Sequence, residues 1–80
     1  MIDDDDPFAA IGRTRHRAFA REYSRLRRSI GLDPDAAGRQ AVNVAFCAYV
    51  SADAALAKAR RLLNDPRIQA AILAAARMPR

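Results

Sequence analysis

Residues 33–66, DPDAAGRQAVNVAFCAYVSADAALAKARRLLNDP, decide the fold, because two similar helix-start signals enclose two alanine-rich segments there. Asp33 offers an oxygen acceptor to the free amides of a helix start, and Pro34 occupies a first-turn position that needs no N–H. Asn64-Asp65-Pro66 repeats this signal, and Ser51 supplies a capping hydroxyl between the two. Three helix starts are therefore predicted, separated by short turns.

A further helix is predicted upstream of this stretch. Phe19, Tyr23, Leu26 and Ile30 recur at helical spacing, which places them on one apolar stripe, and Gly31 stands at the usual helix-ending position. The four predicted helices run from about 14 to 30, from 34 to about 48, from 52 to 63, and from 66 until the chain reaches Met78-Pro79-Arg80.

The predicted fold class is all-α: a compact bundle of four helices, in which the second and third form a helix-turn-helix-like pair. Residues 1–7 are predicted to be a flexible acidic tail, since residues 3–6 are all aspartate, and 8–80 a single helical domain. The residues expected to share one core are Phe19, Tyr23, Leu26, Val44, Leu56, Leu62, Leu63, Ile68 and Ile72.

Composition favours a polyanionic partner. The net charge is +5 and the pI about 10.7, and because four of the nine acidic residues lie in the tail, the body is still more basic. No stretch approaches the length of a membrane span, and the acidic start is unlike a signal peptide, so we expect no membrane and a cytoplasmic location.

No catalytic constellation is recognisable, so we expect no enzyme, no cofactor and no metal. Glu22, the only glutamate, lies among arginines and is interpreted as an ion-pair partner. His16 is interpreted as a surface residue and Cys47 as a small core residue, because neither has a catalytic partner at helical spacing. One histidine and one cysteine do not make a zinc ligand set.

Two basic surfaces are predicted instead. A helix-turn-helix motif places its second helix in the major groove of DNA. In this chain that recognition helix would be the third helix. Two helices joined by a short turn also occur in ordinary bundles, however, so the pair alone is not specific for DNA binding. Residues expected to contact DNA there are Lys58, Arg60 and Arg61, flanked by Arg39 and Asn43. A separate basic ridge on the first helix begins at Arg13. It carries four candidate DNA contacts, Arg17, Arg21, Arg25 and Arg28.

The chain resembles the N-terminal domain of phage terminase small subunits. Residues 19–23, FAREY, are similar to the family's F-x-x-E-Y element, and residues 61–68, RLLNDPRI, to its R-L-L-x-N-P-x-[VI] element. Between 40 and 68 the similarity needs no gap, and Ser51 falls on the cap of the recognition-like helix. Tyr49 and Val50 depart from the family's glycine and aromatic residue, Ala52 replaces a proline, and 24–39 is longer than the usual connection.

The resemblance implies a protein that recognises viral genome DNA in the bacterial host cell and recruits it to the large terminase subunit, an ATPase. It also implies a homo-oligomer, since family members continue into a ring-forming region. Either that region is absent, or the four helices oligomerise themselves, or only the DNA-facing domain is kept. The alternative from a different class is a small phage or mobile-element module that docks on a protein partner through its arginine-rich face.

Overall fold

Four helices occupy most of residues 7–47 and 51–77, the part of the chain that this computed structural model describes. The predicted class, an all-α bundle without strands in the described ranges, is confirmed. Residues 1–6 of the acidic tail, the turn at Tyr49 and Val50, and the Met78-Pro79-Arg80 end lie outside the described residues. The helices are α1 Thr14–Arg25, extended by a π-helical turn Leu26–Ile30, then α2 Pro34–Phe46, α3 Ala52–Leu63 and α4 Pro66–Arg77.

The three predicted helix starts are confirmed by their capping hydrogen bonds. The Asp33 carboxylate accepts from the Ala36 amide at 3.4 Å, and the Ser51 hydroxyl accepts from the amide of Ala54 at 3.2 Å. Ahead of α4, Asp65 Oδ1 accepts from the Arg67 amide at 2.9 Å. These bonds satisfy first-turn donors that would otherwise have no partner within the helix.

The π-helical turn after α1 was not predicted, and it changes which side chains face inward. Gly31 closes the turn with a φ of 85°, and the Leu26 carbonyl accepts from the amides of both Gly31 and Leu32 at 2.9 and 3.0 Å. A π turn holds more residues than an α turn, so the apolar stripe slips beyond Leu26. Ile30, predicted to lie inward, is therefore 58% exposed, and that prediction is wrong.

One core joins all four helices, and its largest fully buried side chains are Phe19, Leu26, Ile68 and Val42. The predicted core is confirmed at Phe19, Tyr23, Leu26, Leu62 and Ile68, while Leu63 and Ile72 pack at its edge and Leu56 is half-buried.

Val44 is 54% exposed, so its predicted place in the core is wrong. In its place α2 buries Val42, on the same side as Gly38 and Ala41. The apolar and small residues of α2 are spread around much of its circumference. Their spacing therefore did not define a single buried stripe.

Small residues let α2 and α3 approach closely. A Cβ atom placed on Gly38 would lie 2.9 Å from the Ala59 Cβ, closer than carbon atoms pack. Both residues are buried, and each lies in the half of its helix that is distant from the connecting segment. The sequence shows that both segments are rich in alanine, but it does not predict this glycine contact.

Cys47 ends α2 in the left-handed backbone region, with a φ of 49°. Its side chain is exposed, so the prediction of a small core residue is wrong. The helix ends before the predicted Ala48 because a left-handed residue reverses the direction of the chain. None of the described helices is both long and apolar enough to cross a membrane.

Candidate nucleic-acid interface

Two of the predicted α3 contacts, Lys58 and Arg61, lie together beside the first turn of α1. The Lys58 ammonium lies 4.2 Å from the centroid of the Phe46 ring, and the His16 ring packs against the same phenyl group at 6.2 Å between centroids. Phe46 therefore joins the end of α2 to α1 and α3. It holds an ammonium and an imidazole on one side of the bundle through a cation–π and an aromatic contact.

A surface depression with a cavity volume of about 280 Å³ is lined by His16, Lys58, Arg61, Leu62 and Asp65. A second, of about 380 Å³, adjoins it, because His16 and Asp65 line both. We call the two adjoining depressions together the basic cleft. Its further lining residues are Ile11, Gly12, Arg13 and Arg67.

Charge in the basic cleft is strongly unbalanced. Among the described residues, Arg13, Lys58, Arg61 and Arg67 line it, against the one carboxylate of Asp65. None of these four cations forms an ion pair within residues 7–47 and 51–77. The first turn of α1 contains no acidic residue, and its N-cap provides no side-chain hydrogen bond. The cleft is thus a region of positive potential suited to an anionic group.

Sequence reasoning missed His16 and Arg67, and it placed Arg13 on the α1 ridge. Arg67 follows the Asp65-Pro66 start signal. That signal predicts where α4 begins, but it does not indicate which helix packs beside its first turn. The first turns of α1 and α4 meet only because both helices pack on the common core. No local spacing in the sequence indicates that approach.

The remaining predicted contacts of α2 and α3 lie elsewhere. Arg60 faces the carboxylate of Asp35 at 3.6 Å, and both side chains are more than half exposed. Arg39 follows Asp35 by one helical turn and is half-buried. The side-chain oxygen of Asn43, Oδ1, is buried and has no hydrogen-bond partner in the described part of the chain. The structure therefore does not bring the five predicted contacts of this pair onto one surface.

Much of the predicted α1 ridge is engaged within the chain. Arg17 donates two hydrogen bonds to the Ile11 carbonyl, at 3.1 and 2.9 Å, and Arg28 donates one to the Ala75 carbonyl of α4 at 2.6 Å. The Arg21 guanidinium carbon lies 5.9 Å from the centroid of the Phe8 ring. These contacts fix the chain before α1 and attach α4 to the π turn.

The fourth ridge residue, Arg25, forms the ion pair expected for Glu22. Its guanidinium donates to both carboxylate oxygens, at 3.0 and 2.6 Å. This hydrogen bonding holds the pKa of the Glu22 carboxyl below its ordinary value, even though partial burial opposes the shift. The same pairing raises the pKa of Arg25.

A metal centre finds no support within 7–47 and 51–77, where no three His, Cys, Asp or Glu side chains cluster closely enough to hold an ion. No protein-family model matches the chain, and it has no match among the curated proteins or the solved structures.

Proposed function

We propose that this chain binds double-stranded DNA by placing the exposed face of α3 against the duplex. The observation that carries the proposal is the position of Lys58 and Arg61, which lie on adjacent turns of α3 and have no carboxylate partner among the described residues. Cations placed in this way can neutralise backbone phosphates and release their counterions, the main source of affinity for DNA.

The rest of the exposed α3 face suits close approach to a groove. Ala54 and Ala57 precede Arg61 at helical spacing, and all three are exposed. Small side chains let the helix backbone come near the bases, while longer cations at the end of the helix reach the phosphates. Arg60 can leave Asp35 for a phosphate, because an exposed ion pair is weak.

The resemblance to terminase small subunits extends this proposal to a role. A DNA-binding domain of that kind would recognise genome DNA in the host cytoplasm and pass it to the large ATPase subunit. Its support is the similarity of residues 19–23 and 40–68 to the family's elements. DNA binding itself is proposed on the cations of α3 and does not depend on the role.

Fluorescence anisotropy with duplex DNA across a salt series tests the proposal. Lys58→Ala with Arg61→Ala should weaken binding more than Arg21→Ala with Arg25→Ala, which removes the same charge from α1. Each lost phosphate contact should lower the salt slope by about one unit. The reverse order would move the binding surface to α1.

Absence of measurable binding by the unmodified chain near 50 mM salt would refute DNA binding. A stoichiometric protein partner retained from nuclease-treated lysate, together with that absence, would favour the protein-interaction alternative.

A further inference from the structure

We propose that the basic cleft holds one backbone phosphate of the bound duplex between two walls. Lys58 and Arg61 of α3 form one wall, and the first turns of α1 and α4 form the other. Arg13, His16 and Arg67 thereby become phosphate-binding residues. The inference rests on the proposed DNA binding and deepens it, since it adds a contact that a recognition helix alone does not provide.

The geometry that supports this is the convergence of three segments on one depression. His16 of α1 and Asp65 of the α3–α4 turn line both parts of the cleft, so the depression beside Lys58 adjoins the one beside Arg13. A phosphate bound there can accept hydrogen bonds from donors on both walls, which a flat helix face does not allow. Arginine is well suited to this, because its planar guanidinium pairs with two phosphate oxygens at once.

Lys58 on the α3 wall and His16 on the opposite wall are already positioned by Phe46. The Phe46 ring lies under the Lys58 ammonium at 4.2 Å and beside the His16 imidazole at 6.2 Å. An ammonium over a ring face keeps N–H groups directed away from the ring, and these can donate to a ligand. A side chain that is held in place before binding loses less conformational entropy when it binds.

The charge of the cleft fits a phosphate group. Asp65 is the acidic residue that lines the cleft in the part of the chain that the structure describes, and its Oδ1 accepts from the Arg67 amide. Four surrounding cations outweigh its charge.

A charge-matched pair of double variants tests the cleft in the full chain. Arg13→Gln with Arg67→Gln removes two cations from the α1 and α4 wall. Arg15→Gln with Arg77→Gln removes two exposed cations that do not line the cleft. Circular dichroism melting verifies that each variant folds. Affinity for a DNA duplex is then measured by anisotropy across a salt series.

We expect the cleft variant to lose the contacts that the α1 and α4 wall makes with the phosphate. Its salt slope should fall by about one unit, and its affinity should fall about eightfold at 0.1 M salt, while the control changes much less. Equal losses in the two variants would overturn the cleft assignment and leave DNA binding intact. If the unmodified chain did not bind DNA, the proposed function would fail, and the inference with it.

Amide chemical shifts provide a readout that does not depend on charge removal. When duplex DNA is titrated into the unmodified chain, we expect shifts at Gly12, Arg13, His16 and Arg67 in addition to those on α3. Shifts confined to α3 would overturn the inference. A polyglutamate peptide that bound as tightly as DNA and shifted the same amides would overturn the assignment of a phosphate.

Discussion

The arginines of α1 and the cations of the basic cleft have the same charge but different surroundings. Arg17 and Arg28 donate to backbone carbonyls of other segments, and Arg25 pairs with Glu22. Arg13 and Arg61, in contrast, line an open depression and have no acidic partner in the described residues. The first group stabilises the fold, whereas the second is available to a ligand.

This difference shows why the number of charges on a helix face is a poor measure of its binding capacity. The ridge on α1 has the more regular spacing and is the more conspicuous in the sequence. The guanidinium groups of Arg17, Arg25 and Arg28, however, find acceptors within the chain. A guanidinium that already donates to a carbonyl must break that hydrogen bond before it can contact a phosphate, so part of the binding energy is lost.

The largest effect that would sharpen this comparison is expected at Arg17. Arg17→Met retains the aliphatic stem and removes both hydrogen bonds to the Ile11 carbonyl, so we expect a destabilisation of about 1.5–3 kcal/mol. The measurement is urea unfolding followed by circular dichroism.

Arg15→Met is the matched control, because Arg15 lies on the same helix and is exposed. It should change stability by no more than about 0.5 kcal/mol. If both variants lost the same stability, the Arg17 hydrogen bonds would contribute no more than an exposed charge does. The distinction between structural arginines on α1 and ligand-accessible cations in the cleft would then be wrong for Arg17.

The second prediction concerns the packing that holds α3, and with it Lys58 and Arg61, against α2. Gly38→Ala places a methyl group 2.9 Å from the Ala59 Cβ. Overpacking costs about 1–3 kcal/mol, and the better helix propensity of alanine offsets up to about 1 kcal/mol, so we expect a net loss of about 1 kcal/mol.

Ala59→Gly provides the matched test of that contact. We expect the double variant to lose less unfolding free energy than the two single variants lose together, by at least about 0.5 kcal/mol. The reason is that the glycine at position 59 restores the space that the new methyl group needs. Thermal or urea unfolding measures the three differences. Strict additivity would mean that the helices do not meet at these residues.

Local signals in the sequence predicted the helix starts well, because a cap acts within one turn. The Asp33, Ser51 and Asp65 signals each correspond to an observed capping bond. Core positions on α1 followed from spacing as far as Leu26. They failed at Ile30, because winding with an extra residue per turn leaves no mark in a pattern of period 3.6.

The candidate site was only partly predictable, for a related reason. Lys58 and Arg61 were identified because they share the exposed side of one helix, a local property. His16 joins them through Phe46, and Arg13 and Arg67 do so through the docking of α1 and α4 on the core. Such contacts depend on long-range packing. Helical spacing alone does not indicate them.

The smallest predicted effect concerns the ion pair on the ridge and its dependence on pH. Hydrogen bonding from Arg25 lowers the pKa of Glu22 in the folded chain relative to the unfolded chain. A lowered carboxyl pKa contributes stability above the unfolded value, near pH 4.3, and that contribution is lost as pH falls through the folded value. Because Arg25 is half exposed, solvent screens the pair and the effect is slight.

Glu22→Gln removes the titrating group and keeps the size of the side chain. The difference in unfolding free energy between the unmodified chain and this variant should therefore be largest near neutral pH and should shrink as pH is lowered below about 4.5. Raising the salt concentration should shrink it further, since the pair lies at the surface. Chemical denaturation across this pH range, with Arg25→Gln as the partner variant, measures both dependences.

Because each substitution removes the same hydrogen bonds, the two variants should approach the unmodified chain over the same acidic range. A Glu22→Gln difference that stayed constant from pH 7 to pH 3 would mean that the pair makes no pH-dependent contribution. Arg25 would then belong with the unpaired cations of the cleft, and the comparison between the two regions would have to be redrawn.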